Sequence, residues 1–272
     1  MLFNWRVTRK CSPLLVALFT GRDSRSINFA RRQKRVAFSL RKHAGSGSWS
    51  GRLPTASDDE LVRQAKAFAD DISDLMNGTL TDGVRWSAVL DTHGGLCWLG
   101  VGVTKNNLSG RAVALRPFRG GKWIHLLFRQ VLSLDPEGEY LTTSQSDCSV
   151  YADAELRKLL FHYDYAREPA NQYPAAHVQV DGVSTNLQSV SGVSGLDKML
   201  KDFHFPVGGR RFRPSLEDVV EFLIVEELVR CKSDWAENVA RHRTEWEQRQ
   251  LMAAVRRDPA TARRALEGLT PD

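Results

Sequence analysis

The residues with the clearest chemical potential lie in the stretch FHYDYAREPANQYPAAHVQVDG, residues 161–182. His162 and Asp164 are two positions apart in one predicted strand, and His177 lies in the next, after a proline-containing loop. Side chains two apart in a strand share a face, so antiparallel pairing brings the imidazoles and the carboxylate together. A carboxylate beside an imidazole orients the ring and raises its basicity, which is the minimal arrangement for proton transfer. The alternative is the solvent-exposed polar face of a sheet packed on one side only. If the histidines are catalytic, we expect replacement of one with Ala to change stability by under ~1 kcal/mol, because an exposed polar side chain contributes little to the fold.

Three arginines form a second candidate site. Arg210, Arg211 and Arg213 lie in the segment GGRRFRPSLED, which runs into the beginning of a predicted helix. Guanidinium groups beside the unpaired N–H groups of a helix N-terminus predict an anion-binding site that suits phosphate. The alternative is a solvated turn whose arginines pair with nearby acidic residues. The glycines match neither the dinucleotide-binding fingerprint nor a P-loop.

Metal ions, cofactors and membranes are not indicated by the sequence. His162, His177 and Asp164 have no H-E-x-x-H motif and no third histidine near them, and Cys11, Cys97, Cys148 and Cys231 lie far apart without a C-x-x-C pair. Cysteines used in this way fit a reducing compartment, so we expect a cytoplasmic protein. The longest clean apolar run, LLVALF, is far shorter than the ~20 residues that span a bilayer.

Charge divides the chain into a leader and a body. Residues 1–57 contain 12 Lys or Arg and one acidic residue, Asp23, whereas the rest contains 26 basic and 31 acidic residues. We predict that residues 1–56 are a disordered basic leader, because few apolar residues are available to stabilise a fold there. The leader is either an arm for nucleic acid or another anionic surface, or sequence upstream of the true start, since no Met follows Met1 until Met76.

The body has the pattern of an α+β protein. Helical spacing of apolar residues, with a capping box at Ser57 and Glu60, predicts one helix that ends near Gly78. Short runs rich in Val, Leu, Trp and Tyr between residues 84 and 182 predict an antiparallel sheet of six or seven strands. Further helices begin after Ser215, cover roughly 234–256 and follow Asp258, and they are predicted to cover one face of the sheet. We assign an α+β core domain to residues 57–230 and a helical extension to residues 231–272.

The hairpin over residues 161–182 resembles the TumE-like toxin family of bacterial toxin–antitoxin systems. The resemblance covers Tyr163, Asp164, Pro174 and His177, and Gln179 stands where the family has a second strand histidine. It implies a compact α+β scaffold and a toxin activity.

Three functions remain open from the sequence, and whether the protein is an enzyme is not decided. A toxin or defence protein acting on RNA or another phosphodiester would use His162 or His177 as general base, Asp164 to orient it, and Arg210 or Arg211 to neutralise phosphate charge. A non-catalytic regulatory protein would instead bind a protein partner through the sheet face and the helix that carries Trp235 and Trp246. A third class would bind a small anion through the arginine segment alone. The sequence gives no oligomeric state.

Overall fold

The computed structural model describes residues 55–169, 172–186, 189, 199–208 and 213–267. The predicted leader therefore lies outside the described residues, apart from Thr55 and Ala56. The helices are α1 (Ala56–Thr79), α2 (Leu216–Val225), α3 (Trp235–Arg257) and α4 (Pro259–Leu266). The strands are β1 (Trp86–Leu90), β2 (Cys97–Val101), β3 (Val113–Leu115), β4 (Ile124–Leu134), β5 (Leu141–Tyr151), β6 (Leu159–Ala166), β7 (Ala176–Val180) and β8 (Phe205–Pro206).

The strands form one antiparallel sheet in the order β1-β2-β4-β5-β6-β7-β8, with β3 paired to β4 beside the end of β2. The predicted α+β class and the seven predicted strand regions are confirmed. The eighth strand is the two-residue β8, which pairs with His177 and Val178 of β7. Such a short edge strand carries no period-two signal, so the predicted count was one too low.

Helices cover one face of the sheet. Leu61, Ala65 and Ile72 of α1 repeat at helical spacing and are buried in the core. They pack with alternate sheet residues such as Leu126 and Val150, which are fully buried. Among the described residues the covering layer thus includes α1 as well as the predicted C-terminal helices.

The start of α1 is fixed by Asp58. Thr55, rather than the predicted Ser57, is the N-cap, and the Thr55 and Asp58 side chains cap one another's backbone N–H groups. The second carboxylate oxygen of Asp58 accepts a hydrogen bond of 2.8 Å from the backbone N–H of Gly95 in the β1–β2 turn. Gly94 and Gly95 have φ of +74° and +75°, a conformation that favours glycine. The sequence DTHGG is therefore a hairpin turn clamped to the first turn of α1.

The C-terminal helices pack on the same core. Ser215 and Asp218 form the predicted capping box of α2, whose Val220 and Leu223 are fully buried. Val239 of α3 lies in the same cluster, and Arg249 of α3 pairs with Asp71 of α1 at 2.8 Å. The side of α3 that begins with Trp235 and Val239 thus packs against the core of the same chain. Within the described residues, none of the helices combines the length and apolar character needed to cross a membrane.

Candidate functional site

A row of polar side chains runs across four neighbouring strands on the sheet face opposite the helices. Arg129 of β4, Asp147 of β5, Asp164 of β6 and His177 of β7 are paired one to the next in the strand register. The parallel row beside it contains Ser149, His162 and Gln179. Directly paired residues share a face, so these seven side chains form one surface, called the histidine face below.

Asp164 lies between the two histidines. Its Oδ2 atom is 3.7 Å from Nδ1 of His162 and 3.8 Å from Nε2 of His177. His177 is the direct cross-strand partner of Asp164, whereas His162 is two residues away along β6. The structure thus brings together the three residues that the sequence selected, in the register that places Asp164 opposite His177.

The hydrogen bonds of the two rings determine which nitrogen of each carries a proton. The Gln179 side-chain amide donates to the carbonyl of Lys201 at 2.8 Å, so its Oε1 atom faces His162 and accepts from Nε2–H of that ring. Nδ1–H of His177 donates to the carbonyl of Pro174 at 3.1 Å. In the neutral rings the remaining nitrogens, Nδ1 of His162 and Nε2 of His177, therefore carry lone pairs directed towards Asp164.

The histidine face is largely buried, in contrast to the exposed polar face considered as the alternative. His162 is 8% exposed, and Ser149 and Gln179 are 1% and 2% exposed. The Asp164 side chain is the most open of the central three, at 36%, compared with 10% and 12% for the two histidine side chains. A ligand from solvent would therefore meet the carboxylate edge first. The segment before β8 helps to bury this face, since the Lys201 carbonyl accepts a hydrogen bond from the Gln179 side chain.

The other end of the histidine face is organised by Asp147. Nε and Nη2 of Arg129 donate to one carboxylate oxygen at 3.1 and 2.8 Å, and the Ser149 hydroxyl donates to the other. Both partners of the ion pair are only about a quarter exposed. Burial, followed by the charge of Asp147, raises the pKa of the neighbouring Tyr151 phenol. These hydrogen bonds hold Asp147, the cross-strand partner of Asp164, in one position.

Two aromatic rings lie at the His177 end. The ring of Tyr173, from the β6–β7 loop, stacks on that of His204 with a centroid separation of 3.6 Å and an interplanar angle of 16°. The His204 ring is 4.8 Å from that of His177. Tyr173 is 48% exposed, so an aromatic edge borders the histidines at the surface.

The arginine segment does not join this site as far as the structure describes it. Arg210 and Arg211 lie outside the described residues. The Arg213 guanidinium lies 4.2 Å from the centroid of Tyr165, and burial lowers its pKa. Tyr165 alternates with Asp164 along β6 and points to the helix-covered face. Arg213 is therefore on the other side of the sheet from the histidines, so it does not meet the condition that the enzyme hypothesis sets, namely that the arginine segment and the histidines share one cleft.

Sequence reasoning did not select Arg129, Asp147 or Ser149 of the histidine face. Arg129 interrupts the apolar run of β4, but only the pairing of β4 with β5 shows that it reaches the Asp147–Asp164 row. Alternation along the strand already puts Gln179 on the face of His177, with His162 opposite one of the two, and the structure pairs Gln179 with His162. In the part of the chain that is described, no three His, Cys, Asp or Glu side chains are arranged to hold a metal ion.

A cavity lies on the opposite, helix-covered side of the sheet. Its lining includes Gln130 of β4, Glu217 of α2 and His242 of α3. His242 is 6% exposed, and its Nε2 atom has no hydrogen-bond partner among the described residues. Burial, reinforced by the charge of Arg241, lowers the pKa of this ring. Burial and this charge therefore both disfavour the charged form of the ring.

Comparisons with known proteins give no relative: no protein-family model matches the chain, and neither a curated protein nor a solved structure matches it. The functional argument therefore rests on the geometry of the histidine face.

Proposed function

We propose that this protein is a toxin or defence-type enzyme that cleaves RNA by general acid–base catalysis at the histidine face. The observation that carries the proposal is the position of Asp164, whose Oδ2 atom lies within 3.8 Å of one nitrogen on each of two rings held in fixed orientations. A proton taken up by either ring would be held beside the carboxylate. Such a site can hold one ring as acid and the other as base.

Cleavage of RNA uses both forms of the imidazole. The neutral ring accepts the proton of the ribose 2′-hydroxyl while its oxygen forms a bond to phosphorus. The bond from phosphorus to the 5′-oxygen breaks, and the protonated ring gives its proton to that oxygen. The products are a 2′,3′-cyclic phosphate and a 5′-hydroxyl, so all atoms and protons are accounted for. Asp164 stabilises the imidazolium form in each half of the exchange.

Nucleic acid as the substrate is supported by two further observations. Tyr173 is half-exposed beside the histidines, and an exposed aromatic ring next to a phosphodiester site offers a nucleobase a stacking surface. The leader carries 12 basic residues and one acidic residue, a composition that attracts polyanions.

The proposal is tested by incubating the full-length protein with end-labelled single-stranded RNA. The parent should generate fragments that end in 2′,3′-cyclic phosphate, and DNA of the same sequence should remain intact because it lacks the 2′-hydroxyl. A His162→Ala/His177→Ala double variant should lose the activity, whereas His93→Ala, in the exposed β1–β2 turn, should keep it. An inactive parent, or equal cleavage by the double variant, would rule out the proposal.

A non-catalytic interaction protein is the second candidate, and an exposed apolar patch favours it. Phe222, Val225 and Leu228, along and just beyond α2, are 42%, 59% and 39% exposed. Phe118 is also exposed and lies beside them, since Pro117 bridges Val229. Patches of this kind often form protein contacts. If this candidate is right, Val225→Glu should abolish self-association or partner binding in sedimentation experiments, and the parent should cleave no RNA.

A further inference from the structure

We infer that Gln179 is the positioning residue that sets the tautomer of His162. The side chain is 2% exposed and lies directly opposite His162 in the β6–β7 register. An amide can present either its oxygen or its nitrogen to an imidazole, and the two choices stabilise opposite tautomers. The orientation of the Gln179 amide, and with it the tautomer of His162, is therefore set by the contact at the end of the amide that faces away from His162.

The carbonyl of Lys201 makes that selection. A carbonyl oxygen only accepts hydrogen bonds, so the Gln179 nitrogen must face Lys201, where the distance is 2.8 Å. The amide oxygen is left facing His162, and it holds the ring proton on Nε2. The lone pair of Nδ1 then faces Asp164, which is where an incoming proton must be received. The Lys201 carbonyl, in the segment that covers the histidine face, thereby determines the tautomer of His162.

His177 obtains the complementary tautomer by a different route. Its Nδ1–H donates to the Pro174 carbonyl three residues earlier, so its Nε2 atom faces Asp164. This contact involves neither Gln179 nor Lys201, so changes at Gln179 should affect His162 alone. His177 is therefore an internal control for any substitution at Gln179.

Two substitutions separate hydrogen bonding from packing. Gln179→Leu retains much of the side-chain volume but removes the acceptor, whereas Gln179→Glu retains an oxygen that accepts from Nε2–H of His162. The part that Gln179 would play in RNA cleavage rests on the proposed function, but the tautomer of His162 can be measured without any activity.

The experiment is ¹⁵N NMR of the histidine rings in the full-length parent and both variants, at a pH where the rings are neutral. The parent and Gln179→Glu should show His162 protonated on Nε2, and Gln179→Leu should shift it towards a mixture of the two tautomers. The His177 signals should stay unchanged in all three proteins, which also confirms that each is folded. A parent with His162 protonated on Nδ1, or a Leu variant with the parental tautomer, would overturn the inference.

Kinetics provide the second measurement. In Gln179→Leu, kcat for RNA cleavage should fall roughly 10- to 100-fold with little change in KM, because the base is present but incorrectly protonated. Gln179→Glu should recover most of that loss. If the parent cleaves no RNA, the proposed function fails while the tautomer result stands. A rise in KM with kcat unchanged would show that Gln179 contacts substrate and does not position His162.

Discussion

Asp164 of β6 and His177 of β7 are direct cross-strand partners, and Oδ2 of the carboxylate is 3.8 Å from Nε2 of the ring. The Pro174 carbonyl holds the far side of the same ring. The ring can therefore neither turn away from the carboxylate nor exchange its nitrogens without losing a hydrogen bond. The ring is therefore held in one orientation beside the carboxylate before any ligand arrives.

Removing the charge of Asp164 should impair catalysis more than folding. Asp164→Asn preserves the shape of the side chain but cannot stabilise an imidazolium, so the rate of RNA cleavage should fall roughly 10²- to 10⁴-fold. Asp181→Asn, at the exposed position directly after β7, is the matched control and should retain the parental rate. Equal rates for the two variants would remove Asp164 from the mechanism.

His162 should contribute more to stability than an exposed histidine. Because the ring is buried and bonded to Gln179, His162→Ala should lower the free energy of unfolding by about 1–3 kcal/mol. His93→Ala should change it by less than ~0.5 kcal/mol. Urea unfolding of both variants measures the difference, and similar small effects would restore the expectation, drawn from the sequence, of an exposed face.

The Arg129–Asp147 pair should show measurable coupling in a double-mutant cycle. Both side chains are about a quarter exposed, and two nitrogens of Arg129 donate to the carboxylate. Arg129→Met and Asp147→Asn should therefore couple by about 1–3 kcal/mol. The same cycle at Arg63 and Glu60, where Arg63 is 70% exposed, should give a much smaller coupling energy. Equal coupling at the two pairs would mean that burial adds nothing to the Arg129–Asp147 pair.

His242 should make the protein less stable in mild acid. Its pKa in the folded chain is lowered from the ordinary value of 6.5, so the unfolded chain binds a proton first as the pH falls. The stability associated with the neutral ring is present above about pH 6.5 and is lost as the pH falls towards the lower folded pKa. The charges facing the ring come from Asp71, Glu217, Arg241 and Glu245.

The measurement compares the parent with His242→Met between about pH 7.5 and about pH 5.5. The parent should lose more of its free energy of unfolding than the variant over this range. His93→Met, altered at an exposed ring, should follow the parent. Parallel curves for the parent and His242→Met would show that the buried ring titrates normally.

The sequence predicted the sheet better than it predicted the site. Alternating side chains located seven strands and placed His162, Asp164 and His177 on one face. Alternation shows which side a residue occupies but not what covers that side, so the burial of His162 beneath the segment before β8 was missed. Arg129 was missed because its partner strand is determined by tertiary pairing. At α1, Thr55 with Asp58 and Ser57 with Glu60 both fit a capping box, and only the contact of Asp58 with Gly95 distinguishes them.

That contact connects the beginning of α1 to the β1–β2 turn. Asp58 caps the first turn of α1 and also accepts a hydrogen bond from the turn 37 residues later. We therefore expect the beginning of the helix and the hairpin turn to open as one cooperative unit. In hydrogen exchange, the amide of Gly95 should be protected only as long as the beginning of α1 is intact. Because of a single carboxylate, the exchange rate of one amide at the edge of the sheet measures whether the beginning of the helix is folded.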